Sequence, residues 1–167
     1  MGGSGAYMVT KPGHRPLSEA DLNEGVGIDM FNWDHRYAVK YSIEWIVHRQ
    51  AHNITNPINQ KIRAVSHISK HVYVVFDGNS LVGKENTKKK RSVDIRKRMK
   101  ELQGLVQQVS GVSNESDIGK KTKKLCATVS QHISWELLVK IRDGIESLHL
   151  DNVTILVAPF EADQQLL

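Results

Sequence analysis

Acidic residues follow three apolar, β-type runs of this sequence, at the point where each run ends. Asp29 comes after the first run and Asp77 after the second, while Glu161 and Asp163 follow the third within six residues. Carboxylate oxygens are the ligands that Mg²⁺ prefers, and two such ions about 4 Å apart can promote attack of water on a phosphodiester. The pattern therefore indicates a divalent-metal site, although an Asp-Gly pair such as Asp77-Gly78 is by itself more often an ordinary turn.

A strongly basic segment begins seven residues after Asp77. Residues 84–100 carry nine Lys or Arg and two acidic residues, a local balance of +7, whereas the whole chain carries +5. Cations confined to one segment beside carboxylates suit a polyanionic partner, because they hold its phosphates while an acid-bound metal acts on its backbone. A solvated helix face has the same composition, and that simpler interpretation stays open.

Several other chemistries lack the residue patterns that they need. Residues 78–84 do not have the spacing of a Walker loop, no His–Cys cluster suggests zinc, and no Ser or Cys sits at a nucleophile elbow. The single Cys126 cannot form an internal disulfide, which fits a reducing compartment and a small core side chain. No apolar run approaches the roughly 18 residues of a membrane span, so we expect a soluble intracellular protein with no membrane partner.

The acids require a sheet whose strands end at one edge, and the sequence offers candidates for those strands. The apolar runs 26–28, 72–76 and 153–157 predict three buried parallel strands, because apolar character does not alternate along them. Ligands bind at the carboxyl edge of such sheets. We therefore expect an α/β fold, a parallel sheet with helices on both faces, in which Asp29 and Asp77 share one edge.

Helices are predicted between these strands, with a break at 111–117. The residues after the first strand have apolar side chains three or four apart, and Asn56-Pro57 predicts the cap and first turn of a second helix. The basic segment also has helical composition. An apolar residue at nearly every fourth position from Leu125 to Leu148 predicts one long helix that packs on the core. Residues 1–25, which contain several Gly and Pro, predict a flexible lead-in.

The three strand ends lie in the blocks GIDMFNWDHR, VVFDGNSLVGKENTKKKR and ILVAPFEADQQL. In their order and residue pattern these blocks resemble those of the flap endonuclease/XPG family of structure-specific 5′ nucleases, and most of all its exonuclease-one branch. The resemblance covers residues 26–167 with a weaker middle, and it implies a PIN-like 5′-nuclease domain over that range. Residues 84–148 then resemble the basic helical arch or cap under which a single-stranded 5′ end passes.

The resemblance implies roles for particular residues. Lys84 and Arg91, seven residues apart on one helix face, are expected to be the catalytic cations that engage the scissile phosphate. His35 is expected to stack on a base near the cleavage point, with a plain helix-surface histidine as the alternative. The implied ligands of the catalytic Mg²⁺ ions, directly or through water, are Asp29, Asp77, Glu161 and Asp163. The implied cations along the nucleic-acid backbone are Lys88, Lys89, Lys90, Arg96, Lys97 and Arg98.

The function expected from this resemblance is Mg²⁺-dependent hydrolysis of DNA at 5′ flaps, ends or nicks, as an exonuclease or flap endonuclease in nuclear repair or replication. RNA is an open alternative substrate. The alternative function is that of a catalytically incompetent relative that binds nucleic acid or a protein partner.

The sequence also departs from the family pattern. It begins MGGSGAYMVTKPG in place of Met-Gly and an apolar helix, and the second acidic cluster and the helix-hairpin-helix element have no counterpart before Leu167. We therefore expect the C-terminal part of the fold to be absent, the two-ion site to be incomplete and cleavage by this chain alone to be weak.

Overall fold

The computed structural model describes residues 23, 25–78, 85–108, 117–132, 134–159 and 162, with only the backbone at 85–89 and 107–108. Most of the predicted lead-in and most of the predicted break at 111–117 lie outside these ranges. The described strands are β1 (Val26–Asp29), β2 (Val72–Phe76) and β3 (Val153–Val157). The described helices are α1 (Met30–Lys40), α2 (Ser42–Ile46), α3 (His52–Ile68), α4 (Glu85–Gln108), α5 (Asp117–Ser130) and α6 (Trp135–Glu146).

The three strands form one parallel sheet in the order β1-β2-β3. Val26 pairs with Val72 and Asp29 with Val75, so Asp77 lies two residues further along the strand direction than Asp29. The carboxyl ends of all three strands meet at one edge because the strands run in the same direction. The predicted α/β fold, a parallel sheet with flanking helices, is confirmed.

One face of the sheet carries the main core. Helices α1, α3 and α6 contribute apolar side chains spaced three or four apart, and these pack on alternate residues of β2. Burial of this surface, at about 25 cal/mol per Å², holds the helices to the sheet. The buried members of the cluster are Ile28, Met30, Tyr37, Ala38, Trp45, Ile54, Ile58, Ile62, Val72, Val74, Phe76, Leu137, Ile141 and Ile145.

The other face of the sheet is open at several positions. Tyr73 is 40% exposed, and Leu156 and Val157 are 36% and 67% exposed. The prediction that the second and third strands are buried on both faces, under helices on each side, is therefore wrong at these residues of the described structure. β3 lies at the edge of the described sheet, and a run of apolar residues does not reveal an edge position.

The apolar stripe that predicted one long helix is divided between two helices. α5 ends at Ser130 and α6 begins at Trp135, where the hydroxyl of Ser134 accepts a hydrogen bond from the backbone N–H of Leu137 at 3.3 Å. Ser134 has extended backbone angles (φ −76°, ψ 149°), so it starts a new helix as its N-cap. Leu125 packs with α4, while Leu137 belongs to the main core, so the two halves of the stripe serve different clusters.

Helix α3 begins earlier than predicted. It starts at His52, so Asn56 is not its cap and Pro57 lies inside the helix rather than in its first turn. The proline has no N–H to donate to the carbonyl of the preceding turn, which costs the helix one hydrogen bond. The helix forms because its apolar face, including Ile54 and Ile58, is fully buried.

Helices α4 and α5 pack on each other, and α5 also packs on α1 and α2. Cys126 is fully buried in the cluster that joins Leu102 of α4 to Leu125 of α5, which confirms its prediction as a core residue. Burial, aided by the charge of Glu44, raises the pKa of its thiol to about 11. That these helices form an arch stays a prediction. None of the described helices is long and apolar enough to cross a membrane.

Candidate metal and nucleic-acid site

Asp29 ends β1 at the carboxyl edge of the sheet and begins α1. Its Oδ1 accepts a hydrogen bond from the backbone N–H of Phe31 at 2.8 Å, and its Oδ2 accepts one from the side-chain amide of Asn32 at 3.1 Å. The carboxylate is therefore the N-cap of α1. A carboxylate has about four lone-pair sites, so capping the helix is compatible with binding a cation as well.

Asp77 follows β2 at the same edge and contacts the segment that follows β3. Its Oδ1 accepts a hydrogen bond from the backbone N–H of Ala162 at 2.7 Å. The adjacent Gly78 lies so close to the backbone carbonyl of Ala158 that a β-carbon there would overlap the carbonyl oxygen. Val75, Ala158 and Ala162 form a small buried cluster beside this contact. Asp77-Gly78 therefore joins the ends of β2 and β3 and is more than a surface turn.

Three residues singled out from the sequence lie outside the described residues, namely Lys84, Glu161 and Asp163. Ala162 stands between the two acidic residues in the chain, and its hydrogen bond to Asp77 brings the backbone of that segment to the end of β2. The roles of Glu161 and Asp163 as metal ligands and of Lys84 as a catalytic cation stay predictions.

A further carboxylate, Asp34, lies near these two and was missed from the sequence. It is 1% exposed, and neither of its oxygens has a hydrogen-bond partner among the described residues. Burial raises its pKa to about 8, and the negative charges of Asp29 and Asp77 contribute to the rise. A signal for Asp34 was available in the sequence. It lies on the same face of α1 as Met30 and Ala38, which is the buried face, and a charged residue is rare at such a core position.

The three carboxylates suit a hard divalent cation by their chemistry. Mg²⁺ binds carboxylate oxygens and keeps several of its waters. The unpartnered carboxyl of Asp34 supports a cation at this edge, because a buried carboxylate is costly until a positive charge compensates it. Within the described ranges, no group of three or more His, Cys, Asp or Glu side chains is arranged to coordinate a metal ion directly. A divalent metal at these carboxylates stays a prediction.

An aromatic pair lies on α1 next to the acidic residues. The ring centroid of half-buried His35 is 6.0 Å from that of Phe31, with the ring planes 31° apart. Phe31 is 50% exposed, so aromatic surface is open to solvent here. Such surface can stack on a nucleobase, as expected for His35. Phe31 was missed, although its position four residues before His35 puts it on the same helix face.

His132, just after α5, lies near two of the predicted residues. Partial burial of its ring lowers its pKa, and the charges of Arg91 and then of His35 lower it further. Side chains from α1, α4 and the end of α5 therefore approach one another, as the packing among these helices allows. An isolated histidine carries no sequence signal of its own, and His132 was not singled out.

The predicted nucleic-acid cations that can be located are exposed on α4. The side chains of Lys88 and Lys89 lie outside the described residues. An exposed row of Lys and Arg on one helix has the charge to hold backbone phosphates, and whether it does so stays a prediction. Among the described side chains of α4, the exposed cations are Lys90, Arg91, Arg96, Lys97, Arg98 and Lys100.

Comparison with known proteins gives a distant relative. No protein-family model matches the chain. The chain is similar to the DNA damage-inducible protein DIN7 of Saccharomyces cerevisiae, with 25% identity over 145 residues. The similarity covers 87% of this chain and 31% of DIN7, so the chain spans about a third of the length of that relative. The shared stretch is long enough to include most of the described sheet and helices.

Proposed function

We propose that the chain is part of a divalent-metal-dependent 5′ nuclease that hydrolyses DNA phosphodiesters. The observation that carries the proposal is the meeting of Asp29 and Asp77 at one carboxyl edge of a parallel sheet, with the buried, unpartnered Asp34 near both. Carboxylates gathered at this edge suit Mg²⁺ as the cofactor. The sequence blocks that resemble the flap endonuclease/XPG family support the same reaction.

DNA is the substrate that we propose. The exposed cations of α4 suit backbone phosphates, and the rings of Phe31 and His35 suit a base. The related yeast protein is named DNA damage-inducible, which supports a role of this chain in DNA repair or replication and hence a nuclear location. A 5′ flap, end or nick is the proposed structure of the DNA, and RNA is the second choice.

The residues of the chain have separate tasks in this reaction. Asp29 and Asp77, with Glu161 and Asp163 by resemblance, hold Mg²⁺. Bound Mg²⁺ supplies charge neutralisation at the scissile phosphate and promotes in-line attack by water. Arg91, with Lys84 by resemblance, holds the scissile phosphate, since a guanidinium binds phosphate oxygens in a fork.

A cleavage assay on 5′-flap DNA with Mg²⁺ tests the proposal, using this chain and a longer product of the same gene. We expect the longer product to cleave and Asp77→Asn to abolish cleavage while DNA binding persists, because a metal ligand is lost and not a phosphate-binding cation. Asp151→Asn, which removes a carboxylate at the amino end of β3, is the control and should cleave normally. A longer product that never cleaves in Mg²⁺ would refute the nuclease proposal.

The 167-residue chain alone should bind Mg²⁺ weakly and cleave little. Its acids can hold one ion, but the ligands for a second ion come, in the resembling family, from a further acidic strand end. Loss of one of two ions costs orders of magnitude in rate, because the ions stabilise both the attacking and the leaving oxygen. Robust cleavage by this chain, lost in Asp77→Asn, would instead show that its own carboxylates suffice.

Binding of nucleic acid without cleavage is a second candidate function. It is favoured by the lack, within the described residues, of three side chains arranged to coordinate a metal directly. In that case α4 should bind flap DNA equally well in Mg²⁺ and in EDTA, and the longer product should leave the DNA intact. Fluorescence anisotropy and gel analysis of the same samples separate the two functions.

A further inference from the structure

We propose that Asp34 is an additional carboxylate of the divalent-cation site, which acts on the cation through its water shell while Asp29 and Asp77 bind it directly. The inference rests on the proposed function, since it adds a residue to the metal site on which that function depends. Sequence resemblance assigns no role to this position.

The first observation is the burial of Asp34. Its side chain occupies a core position of α1, alongside Met30 and Ala38, and is 1% exposed. Neither carboxyl oxygen has a hydrogen-bond partner in the described part of the chain. Buried polar groups are nearly always satisfied, so an unpartnered pair of oxygens calls for a ligand that supplies donors. Water molecules around a cation are such donors.

The second observation is the sign of the nearby charges. Among the described residues, the charged groups that act on Asp34 are Asp29 and Asp77, both negative, and both raise its pKa. No described Lys, Arg or His offers its carboxyl a hydrogen bond. Three carboxyl groups within electrostatic reach of one another repel when all are ionised, so the metal-free chain keeps a proton on Asp34 near neutral pH, and its ionised form needs a positive charge among the three. A divalent cation supplies that charge and, with its waters, the missing hydrogen-bond donors.

The proposal that Asp34 contacts the cation through water follows from the arrangement of the described carboxylates. The described side chains include no group of three that can coordinate a metal directly, so Asp34 is not placed as a third direct ligand. Mg²⁺ and similar ions keep several waters when they are bound by one or two carboxylates. A carboxylate that accepts hydrogen bonds from these waters is a positioning residue, and changing such residues typically alters metal affinity by about 10- to 100-fold.

The test is Mn²⁺ binding to the 167-residue chain, followed by calorimetry and by the electron paramagnetic resonance signal of free Mn²⁺. Asp34→Asn removes the charge and keeps the shape, and Asp34→Leu fills the same space with an apolar side chain. Asp77→Asn removes a proposed direct ligand, and Asp151→Asn is the matched control at the opposite end of the sheet. Thermal unfolding of every variant in EDTA and in Mn²⁺ is measured in parallel and shows which variants fold.

We expect both Asp34 variants to bind Mn²⁺ about 10- to 100-fold more weakly than the wild type and to lose most of the rise in Tm that Mn²⁺ produces. In EDTA they should melt at or above the Tm of the wild type, because the uncompensated buried carboxyl has gone. Asp151→Asn should match the wild type in both measurements. A purely structural role for Asp34 would lower Tm in EDTA and leave the affinity for Mn²⁺ unchanged.

The outcomes separate this inference from the proposed function. Unchanged Mn²⁺ affinity in Asp34→Asn, with loss of binding in Asp77→Asn, overturns the inference and leaves the metal site of the proposed function in place. Absence of Mn²⁺ binding in the wild-type chain overturns this inference, and cleavage by the longer product then decides the proposed function separately. Should Asp34→Leu fail to fold, Asp34→Asn decides the question alone.

Discussion

The backbone N–H of Ala162 donates a hydrogen bond of 2.7 Å to Oδ1 of Asp77. The proposed metal ligand therefore also joins the ends of β2 and β3. Asp29 has a similar double role, because it caps α1 through the N–H of Phe31. A substitution at either carboxylate should therefore alter metal binding, and it should also lower the stability of the fold unless the new side chain keeps the hydrogen bond.

Asp77→Ala and Asp77→Asn should separate these two roles. Alanine removes the acceptor for the N–H of Ala162 and should lower the free energy of unfolding by about 1 kcal/mol, while asparagine keeps an acceptor oxygen and should cost less. Both should remove metal-dependent cleavage in the longer product. Urea unfolding followed by circular dichroism measures the difference. Equal destabilisation by the two substitutions would mean that the hydrogen bond contributes nothing measurable.

Gly78→Ala should destabilise the protein strongly. Its new β-carbon would overlap the carbonyl oxygen of Ala158, which is backbone and moves only if β2 and β3 separate at their ends. Overpacking of this kind costs about 1–3 kcal/mol or more. Gly104→Ala is the matched control, because nothing lies within 4 Å of its β-carbon position on α4. That control should stabilise the helix by about 0.5–1 kcal/mol, so urea midpoints of the two variants should shift in opposite directions.

The metal-free protein should lose stability as the pH rises, because of Asp34. The pKa of this carboxyl is about 8 in the folded chain, against 3.8 as its ordinary value. Between these values the folded state binds more protons than the unfolded state, so the free energy of unfolding falls with rising pH, by up to about 1.4 kcal/mol per pH unit. Asp34→Asn lacks this dependence. Its stability relative to the wild type should therefore grow across that range in EDTA, and a constant difference would contradict the shifted pKa.

The sequence predicted the strand ends well and the burial of the strands poorly. Asp29 and Asp77 could be placed because apolar runs of β type end in acids, and parallel strands bring those ends to one edge. The exposure of Leu156 and Val157 could not be seen, since it depends on the position of β3 at the edge of the described sheet. Local composition does not contain that information.

Two further features depended on tertiary context. The apolar residues keep the same spacing across the break between α5 and α6, so their spacing does not reveal the break. The N-cap at Ser134 can be recognised only once the helix ends are known. Asp34 is a charged residue in a helix, which ordinarily faces water. Its burial follows from the packing of α1 on the sheet. The two carboxylates near it, Asp29 and Asp77, lie 5 and 43 residues away from it in the chain.

His132 should make both stability and DNA binding depend on pH. Its pKa in the folded chain is lowered below 6.5 by burial, Arg91 and His35, so the unfolded state binds more protons and stability falls as the pH drops through that region. A DNA phosphate held beside Arg91 would favour the protonated imidazole. DNA affinity should therefore rise between about pH 7.5 and about pH 6 by more in the wild type than in His132→Gln.

The control for that experiment is His67→Gln, which removes an exposed histidine in the last turn of α3, before the amino end of β2. Fluorescence anisotropy with labelled flap DNA gives the affinities. If His132→Gln and the wild type show the same change of affinity with pH, no phosphate binds near His132.

The basic face of α4 should hold DNA through its phosphates. Replacing Lys88, Lys89 and Lys90 by Ala should weaken binding without changing sequence preference, because cations that bind phosphates carry no base information. With duplex DNA, the slope of log affinity against log salt should become shallower by about 0.9 for each phosphate that the variant no longer neutralises. The control removes the same charge elsewhere by replacing the exposed cations Arg63, Lys70 and Lys140 with Ala. Equal weakening by both triple variants would mean that the net charge of the chain, and not a binding face on α4, attracts the DNA. Unchanged binding in the α4 variant would mean that Lys88, Lys89 and Lys90 are only a solvated surface.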